Sequence, residues 1–390
     1  MSWPTYKLTD LCNKITDGSH NPPPGISESK FLMLSSKNIF DDDINFHNPR
    51  YLTKDDFERE NRRTDVSSGD VLLTIVGTVG RAAVVPDGSP KFTLQRSVAV
   101  LKPKHGIITS RFLMYTLRSM LDVLLAGARG VAQQGIYLKQ LHDLDIKVPS
   151  VEIQKHIVNV LDKASSLCRK REQGIKLADE FLRATFSNMF GNPDNNIKNF
   201  PIGTIRDLVS SASYGLSSKT SKHSGKYPVL RMGNITYQGD WDLIDLKYID
   251  LDEKAQEKFL LEKGDLLFNR TNSKELVGKT AIFENDRDMA FAGYLIRVRT
   301  NEIGNNYYIA GYLNSLHGKN TLINMSKSIV GMANINAQEM QNIKILIPPK
   351  ELQDNYEKIY KTVKNKIKIH IESKKESEML FNNLSDGFFN

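Results

Sequence analysis

The chain repeats itself, and that repeat limits its architecture more than any other feature. Trp3-Pro4 is answered by Phe200-Pro201, and Asp10-Leu11 by Asp207-Leu208, both 197 positions on. Gly18 and Tyr51 find Gly215 and Tyr248 at the same distance. Gly69-Asp70-Val71-Leu72 pairs with Gly264-Asp265-Leu266-Leu267, and Val79-Gly80-Arg81 with Val277-Gly278-Lys279. Further on, VPSVEIQ (Val148–Gln154) matches IPPKELQ (Ile347–Gln353) at an offset of 199. A separation that drifts by only a few residues through matched turns and strands is a tandem duplication. The 390 residues are therefore two copies of one unit, each long enough to bury its own core.

Each copy has the same internal order. Short apolar runs punctuated by Gly, Asn, Asp and Pro, such as FLMLSSKNIF, GDVLLTIVG and RSVAVLKP, read as strands and turns. A helical segment follows, Arg111–Leu125 in the first copy and Tyr307–Asn324 in the second. Then comes a strand ending in Pro149 or Pro348, and after it a long helix.

The long helices carry a stripe stepping alternately by four and three. In the first it runs through Ile157, Leu161, Ala164, Cys168, Arg171, Ile175, Ala178 and Leu182. In the second the same register gives Tyr356, Tyr360, Val363, Ile367, His370, Lys374, Ser377, Phe381, Leu384 and Phe388. Such a stripe is the signature of a coiled-coil seam. A helix of some 37 residues, about 55 Å at 1.5 Å per residue, is longer than one domain of this size covers. The two stripes are therefore expected to pair with each other rather than only with their own domains. An approximate two-fold between copies sets the helices antiparallel, with Arg171 and His370 facing near the midpoint and a globular domain at each end. The fold class expected is α+β: two duplicated mixed α/β domains (residues 1–150 and 193–349) separated by long helices (151–192 and 350–390).

Composition is near the globular average, with 40% hydrophobic and 25% charged residues, which excludes wholesale disorder. No apolar run approaches the about 20 residues needed to cross a bilayer. The N-terminal MSWPTYKLTD has no secretory pattern. Two cysteines, Cys12 and Cys168, make neither a disulfide framework nor a zinc site, so a reducing cytoplasm is the default. The net charge of +8 is spread along the chain without a basic tail; it invites a polyanionic partner without identifying one.

Candidate catalytic motifs fail on chemistry. Asn21-Pro22-Pro23-Pro24 resembles the Asn-Pro-Pro-aromatic turn of adenine methyltransferases, but Pro24 cannot stack on a flipped base and no cofactor-binding turn precedes it. Gly77-Thr78-Val79-Gly80 lacks the Gly-Lys-Ser/Thr ending of a phosphate cradle and reads as a β-turn. The eight histidines show no metal spacing.

The loops carry a different chemistry. In the first copy Ser19, His20, Lys37, Arg81, Arg96, Arg129, Gln133 and Gln134 sit in or beside turns. In the second, Tyr214, Lys219, Lys222, Arg231, Arg270, Asn272, Lys274, Lys279 and Lys327 do. These are the types that read duplex DNA: Arg forks onto guanine, Gln and Asn pair with adenine, and Lys or Ser holds phosphate. The two sets fall at similar places in the repeat yet differ in sequence (TIVGTVGR against NRTNSKELVGK), as two modules with different targets would.

The duplication, the Trp-Pro-x-x-x-Leu-x-Asp-Leu opening, the Asp-Gly-Ser-His loop at Asp17–His20, the two Gly-Asp strands and the Pro-x-x-Glu-hydrophobic-Gln start of each long helix together resemble the DNA-specificity subunits of type I restriction–modification systems. The resemblance covers essentially the whole chain. Its weakest point is Tyr214-Gly215-Leu216-Ser217, which stands where the first copy has Asp-Gly-Ser-His. It implies that each half is a target recognition domain reading one part of a split, asymmetric sequence. It further implies that the paired helices set the unread gap and, with neighbouring surfaces, dock two methyltransferase subunits and the restriction subunits. S-adenosylmethionine, ATP and Mg then belong to those partners, and this chain holds no cofactor, metal or catalytic residue and meets no membrane. Two other classes stay open from the residues alone: a self-contained adenine methyltransferase or nuclease, and a scaffold that binds only protein.

Overall fold

A computed structural model describes residues 3–127, 135–329 and 332–389. The chain forms two compact units, Met1–Lys170 with Lys374–Asn390, and Arg171–Ser373. Each long helix contributes one part to each unit.

The first unit is built on a four-stranded antiparallel sheet in the order Cys12–Asp17, Val98–Pro103, Val71–Thr74, Ala82–Val84. Successive residues of a strand face opposite sides, and burial on both sides explains why Val71-Leu72-Leu73 is apolar without alternation. Val71 and Leu73 face a core shared with the helix Ser110–Ser119, while Leu72 faces a second core behind the sheet. That second core is closed by a three-stranded sheet, Arg50–Tyr51, Leu32–Leu34 and Phe92–Leu94, whose last two strands run parallel. Thr5–Lys7 pairs with Asp145–Lys147, tying the start of the unit to the strand that leads into the long helix.

The second unit repeats the order of these three sheets. Its sheet runs Val209–Tyr214, Leu295–Thr300, Leu266–Asn269, Thr280–Ile282. Lys247–Ile249, Tyr227–Leu230 and Ala290–Phe291 form the smaller sheet, again with one parallel pair, and Ile202–Thr204 pairs with Lys344–Leu346. A three-stranded ribbon of Thr271–Asn272, Met332–Asn334 and Lys327–Ile329 is also present.

The matched motifs are structural. Gly69 and Gly264 turn at φ +83° and +89°, a left-handed conformation open to glycine. The aspartates that follow are buried. Asp70 accepts from the Ser67 amide (2.9 Å) and Lys102 (2.7 Å), and Asp265 from the Glu262 amide (2.9 Å) and Arg299 (2.6 Å). Gln154 and Gln353 are both fully buried. Gln154 donates to the carbonyls of Ile107 (2.8 Å) and Pro149 (2.9 Å) and accepts from the Thr109 amide (2.9 Å). Gln353 donates to Ile303 (3.0 Å) and Pro348 (2.9 Å). Each amide clamps the start of a long helix to the loop before the preceding helix.

The intermediate helices are not continuous as the apolar pattern suggests. The first divides into Ser110–Ser119 and Leu121–Gly127, the second into Asn306–Asn314 and Leu316–Met325. In the second, Ser315 is extended and its hydroxyl accepts the Gly318 amide (3.1 Å), starting a new helix.

The long helices, Val151–Phe190 and Lys350–Phe389, have 40 residues each, about 60 Å at 1.5 Å per residue. In the first unit Ile157 and Leu161 are buried in a core against which Phe381, Leu384 and Phe388 pack, and Ala164 is buried nearby in sequence. In the second, Leu182, Phe186 and Phe190 share a core with Tyr356, Tyr360, Val363 and Ile367, with Ile175 packed against it. Phe186 meets Tyr356 edge-on at 5.2 Å, and a Cβ on Gly174 would lie 3.3 Å from the His370 ring. The stripe residues thus bury against both the other helix and the body of their own unit. Cys168 is half-buried and its thiol is free. Among the described residues, no helix is long and apolar enough to cross a membrane.

Candidate nucleic-acid interface

The loop after Cys12–Asp17 is held by a close backbone approach. A Cβ on Gly18 would lie 2.1 Å from the Leu94 carbonyl oxygen, so only glycine lets the chain pass. The approach allows Ser19 to donate its amide to Leu94 (2.8 Å) and to accept from the Arg96 amide (2.9 Å). Gly215 makes the same approach in the second unit, 2.2 Å from the Phe291 oxygen. Ser19 is consequently 8% exposed, which corrects its reading as a phosphate contact: its backbone is used for pairing and its side chain is covered.

Asp17 is buried and organises two basic side chains. His20 Nε2 lies 2.8 Å from one carboxylate oxygen, and Arg63 pairs with the other while its Nε donates to the Asp17 carbonyl (3.0 Å). His20, Arg63, Arg96 and the 65%-exposed Tyr137 line a cleft of about 420 Å³. Gln95, next to Arg96, borders a second cleft of about 490 Å³ with Lys37, His47 and Arg50. Arg50 donates to the Pro23 carbonyl (2.7 Å), fixing the Asn21–Pro24 loop. Arg63, Arg96, His20 and the Tyr137 ring in the first cleft, and Lys37, Arg50, His47 and Gln95 in the second, can meet phosphates and base edges. Arg129, Gln133 and Gln134 lie outside the described residues, just before Gly135, which lines the first cleft.

Arg81 is placed differently. It is half-buried, with its guanidinium 5.1 Å from the Phe40 ring, and it lines neither cleft.

In the second unit the corresponding end is aromatic. Tyr214 ends the strand that Asp17 ends in the first, and Arg270 takes the place of Ile75. The Arg270 guanidinium lies 4.9 Å from the Tyr214 ring centroid. Its backbone is held on both sides, donating to Tyr294 (3.0 Å) and accepting from Ile335 (2.9 Å), as Ile75 accepts from Ile136 (2.8 Å). The Tyr214 hydroxyl accepts the Ala337 amide (3.0 Å). Tyr214 and Tyr294 are 41% and 56% exposed, so the ring against the cation is accessible and a second exposed ring sits on the residue that accepts the Arg270 amide. Lys219, Lys222 and Lys274 are exposed, and Asn272 is half-buried in the ribbon. Lys327 starts a strand of that ribbon, paired through its backbone with Asn334. Arg231 is bound to Asp245 through the carboxylate (2.9 Å) and the carbonyl (2.8 Å), and this hydrogen bond holds the Asp245 carboxyl below its ordinary range.

Lys279 is a correction. Alignment with Arg81 places it after a glycine turn, but its side chain is 7% exposed and burial lowers its pKa. A buried amine cannot hold a phosphate at the surface.

Arg63, Tyr137 and Tyr294 join the site without a motif that marks them in the sequence. Arg63 lies on a helix 46 positions from its partner Asp17, which no local pattern reports. Tyr294 was findable: it adjoins the loop equivalent to Gln95-Arg96 once the repeat register is applied. Among the described residues no cluster of His, Cys, Asp or Glu could hold a metal ion. Burial pushes the Cys12 thiol up to about 12.

The family described as type I restriction modification DNA specificity domain matches residues 2–177 and, a second time, residues 197–379. The chain belongs to that family, and it carries the domain in tandem. The EcoKI type I restriction enzyme specificity subunit of Escherichia coli is 24% identical over 267 residues, 64% of this chain and 57% of that protein. The chain spans about half the length of the curated relatives it matches. Among solved structures, the S subunit of a type I restriction–modification system from M. genitalium superposes with a TM-score of 0.62 at 14% identity, over 99% of this chain and 95% of that one. A chain solved in work on complex assembly and conformational transition of the type I R-M system gives 0.55 at 15% identity, over 100% and 98%. These two likenesses concern the fold.

Proposed function

We propose that this chain is the sequence-reading subunit of a type I restriction–modification complex. It binds double-stranded DNA at a bipartite, asymmetric sequence, one part at the His20–Arg63–Arg96 end of the first unit and the other at the Tyr214–Arg270 end of the second. The observation that carries this reading is that one scaffold presents the same loop end twice, with different cations and rings on each copy. A duplicated frame with divergent, exposed, hydrogen-bonding loops suits two different base sequences better than one ligand.

The long helices, each shared by both units, pair as an antiparallel coiled coil and set the number of unread base pairs. Their exposed faces and adjoining surfaces dock two adenine-N6 methyltransferase subunits and the restriction subunits. S-adenosylmethionine, ATP and Mg are held by those partners in the cytoplasm. This chain positions DNA and performs no bond-making step.

The test is selection from a random duplex pool by the complex purified through this chain. One enriched sequence with two short parts and a fixed gap, bound with an affinity that falls steeply with salt, is expected. Absence of any enriched sequence, or turnover of S-adenosylmethionine by the chain alone, would contradict the proposal.

A further inference from the structure

A groove of about 1030 Å³ in the first unit lies outside the recognition clefts. Lys14, Lys30, Lys54, Arg62 and Lys91 line it, against only Glu58 and Asp65. Glu58 is within 3.7 Å of Lys54. The side chains of Lys14, Arg62 and Lys91 make no ion pair or hydrogen bond among the described residues. Like charges gathered around one concavity oppose folding unless something negative occupies it.

The second copy shows that the scaffold does not need this charge. Lys14 and Ser211 precede equivalent positions on the matched edge strands. Lys54 and Glu253 each follow the N-cap of the matched helix, Thr53 and Asp252. Lys91 and Asp288 each stand two residues before the matched strand positions Thr93 and Ala290. Three cations are thus replaced by one neutral and two acidic residues on the same frame. The groove also adjoins the recognition cleft: Arg62 lines the groove, and the next residue, Arg63, lines the cleft with His20 and Arg96.

We infer that this groove holds the phosphodiester backbone of the duplex beyond the first part of the recognised sequence. The second unit has no such hold, so the footprint extends further on one side than on the other. This rests on the DNA reading above.

The test gives the first unit the second unit's residues, Lys14→Ser, Lys54→Glu and Lys91→Asp, in the full chain with its co-purifying subunits. Binding is measured against salt on a duplex carrying the selected sequence and long flanks. The triple variant is expected to bind at least tenfold more weakly, with the salt slope reduced by about 2 to 3, since each phosphate contact contributes about 0.9, and with the enriched sequence unchanged. On the unaltered protein, trimming the flank beside the first part should reproduce that loss, and trimming the other flank should not. Equal loss from both flanks, or an unchanged slope in the variant, overturns the inference while leaving sequence reading intact. A variant that keeps its slope but sheds a subunit overturns it in favour of an acidic protein surface. Failure of the unaltered complex to select any sequence overturns both readings.

Discussion

The guanidinium of Arg270 lies 4.9 Å from the ring centroid of Tyr214, on a strand end where the first unit has Ile75 and Asp17. The strand pairing that places the two residues is matched in both copies, and the side chains differ. Arg270→Ala is expected to weaken DNA binding by at least tenfold, within the about 1–3 kcal/mol expected for a base-contacting arginine, with little change in Tm. Arg270→Lys keeps the charge without the planar fork and should recover only part of the affinity. Equal binding by all three proteins would remove Arg270 from the interface.

Gly18 and Gly215 test the loop approach itself. Gly18→Ala sets a methyl 2.1 Å from the Leu94 oxygen, so the loop must leave its place beside Gln95-Arg96. Selection by this variant should lose one part of the split sequence and keep the other; Gly215→Ala should do the reverse. A variant that still reads both parts shows that the loops can be displaced without consequence.

The buried amides at the helix starts make a stability prediction. Gln154→Ala strips partners from the Thr109 amide and from the Ile107 and Pro149 carbonyls. Orphaning buried polar groups costs about 1–3 kcal/mol each, so chemical denaturation should shift to markedly lower denaturant. Exposed Lys155→Ala, one position away, is the control and should shift it little.

Lys319 gives the second unit a pH signature. Burial, with Arg183 and Lys279 nearby and Asp179 in opposition, lowers its pKa from 10.5 to about 8, and its amine lies 4.7 Å from the Tyr237 ring centroid. Below about 8 the amine is charged in both states and the cost of burying it is fully felt. Between about 8 and 10.5 the unfolded chain binds a proton that the folded chain has lost, so this group's contribution to stability rises with pH. Lys319→Met should be more stable than the unaltered chain at pH 7, with the gap narrowing toward pH 10. Parallel Tm curves would mean that the amine is solvated.

Removing one heptad from each long helix tests the ruler. Seven residues are about 10.5 Å of helix, or about three base pairs at 3.4 Å each. The recognised sequence should keep both parts and lose about three base pairs from its gap. An unaltered gap would assign the spacing to something other than the helices.

What the sequence disclosed follows from what repeats. Gly69-Asp70 and Gly264-Asp265 matched because the same left-handed turn and buried carboxylate are needed twice, and Gln154 and Gln353 because both clamp a helix start. Matching therefore found the scaffold well. It could not distinguish an exposed loop cation from a buried one: Arg81 rests on Phe40, and Lys279, its counterpart, is covered. Nor could it find Arg63, whose role depends on a helix folding back onto Asp17. Phe186 belongs to the core of the second unit and Phe388 packs against that of the first, placements far along the long helices that no local pattern reports.

The most direct test of the central claim is a genome-wide map of N6-methylated adenines in the native host, with this gene intact and deleted. Methylation at one split motif, two short parts around a fixed gap, is expected to disappear on deletion and to return when the gene is restored. Methylation of every such motif persisting without the gene would contradict the claim.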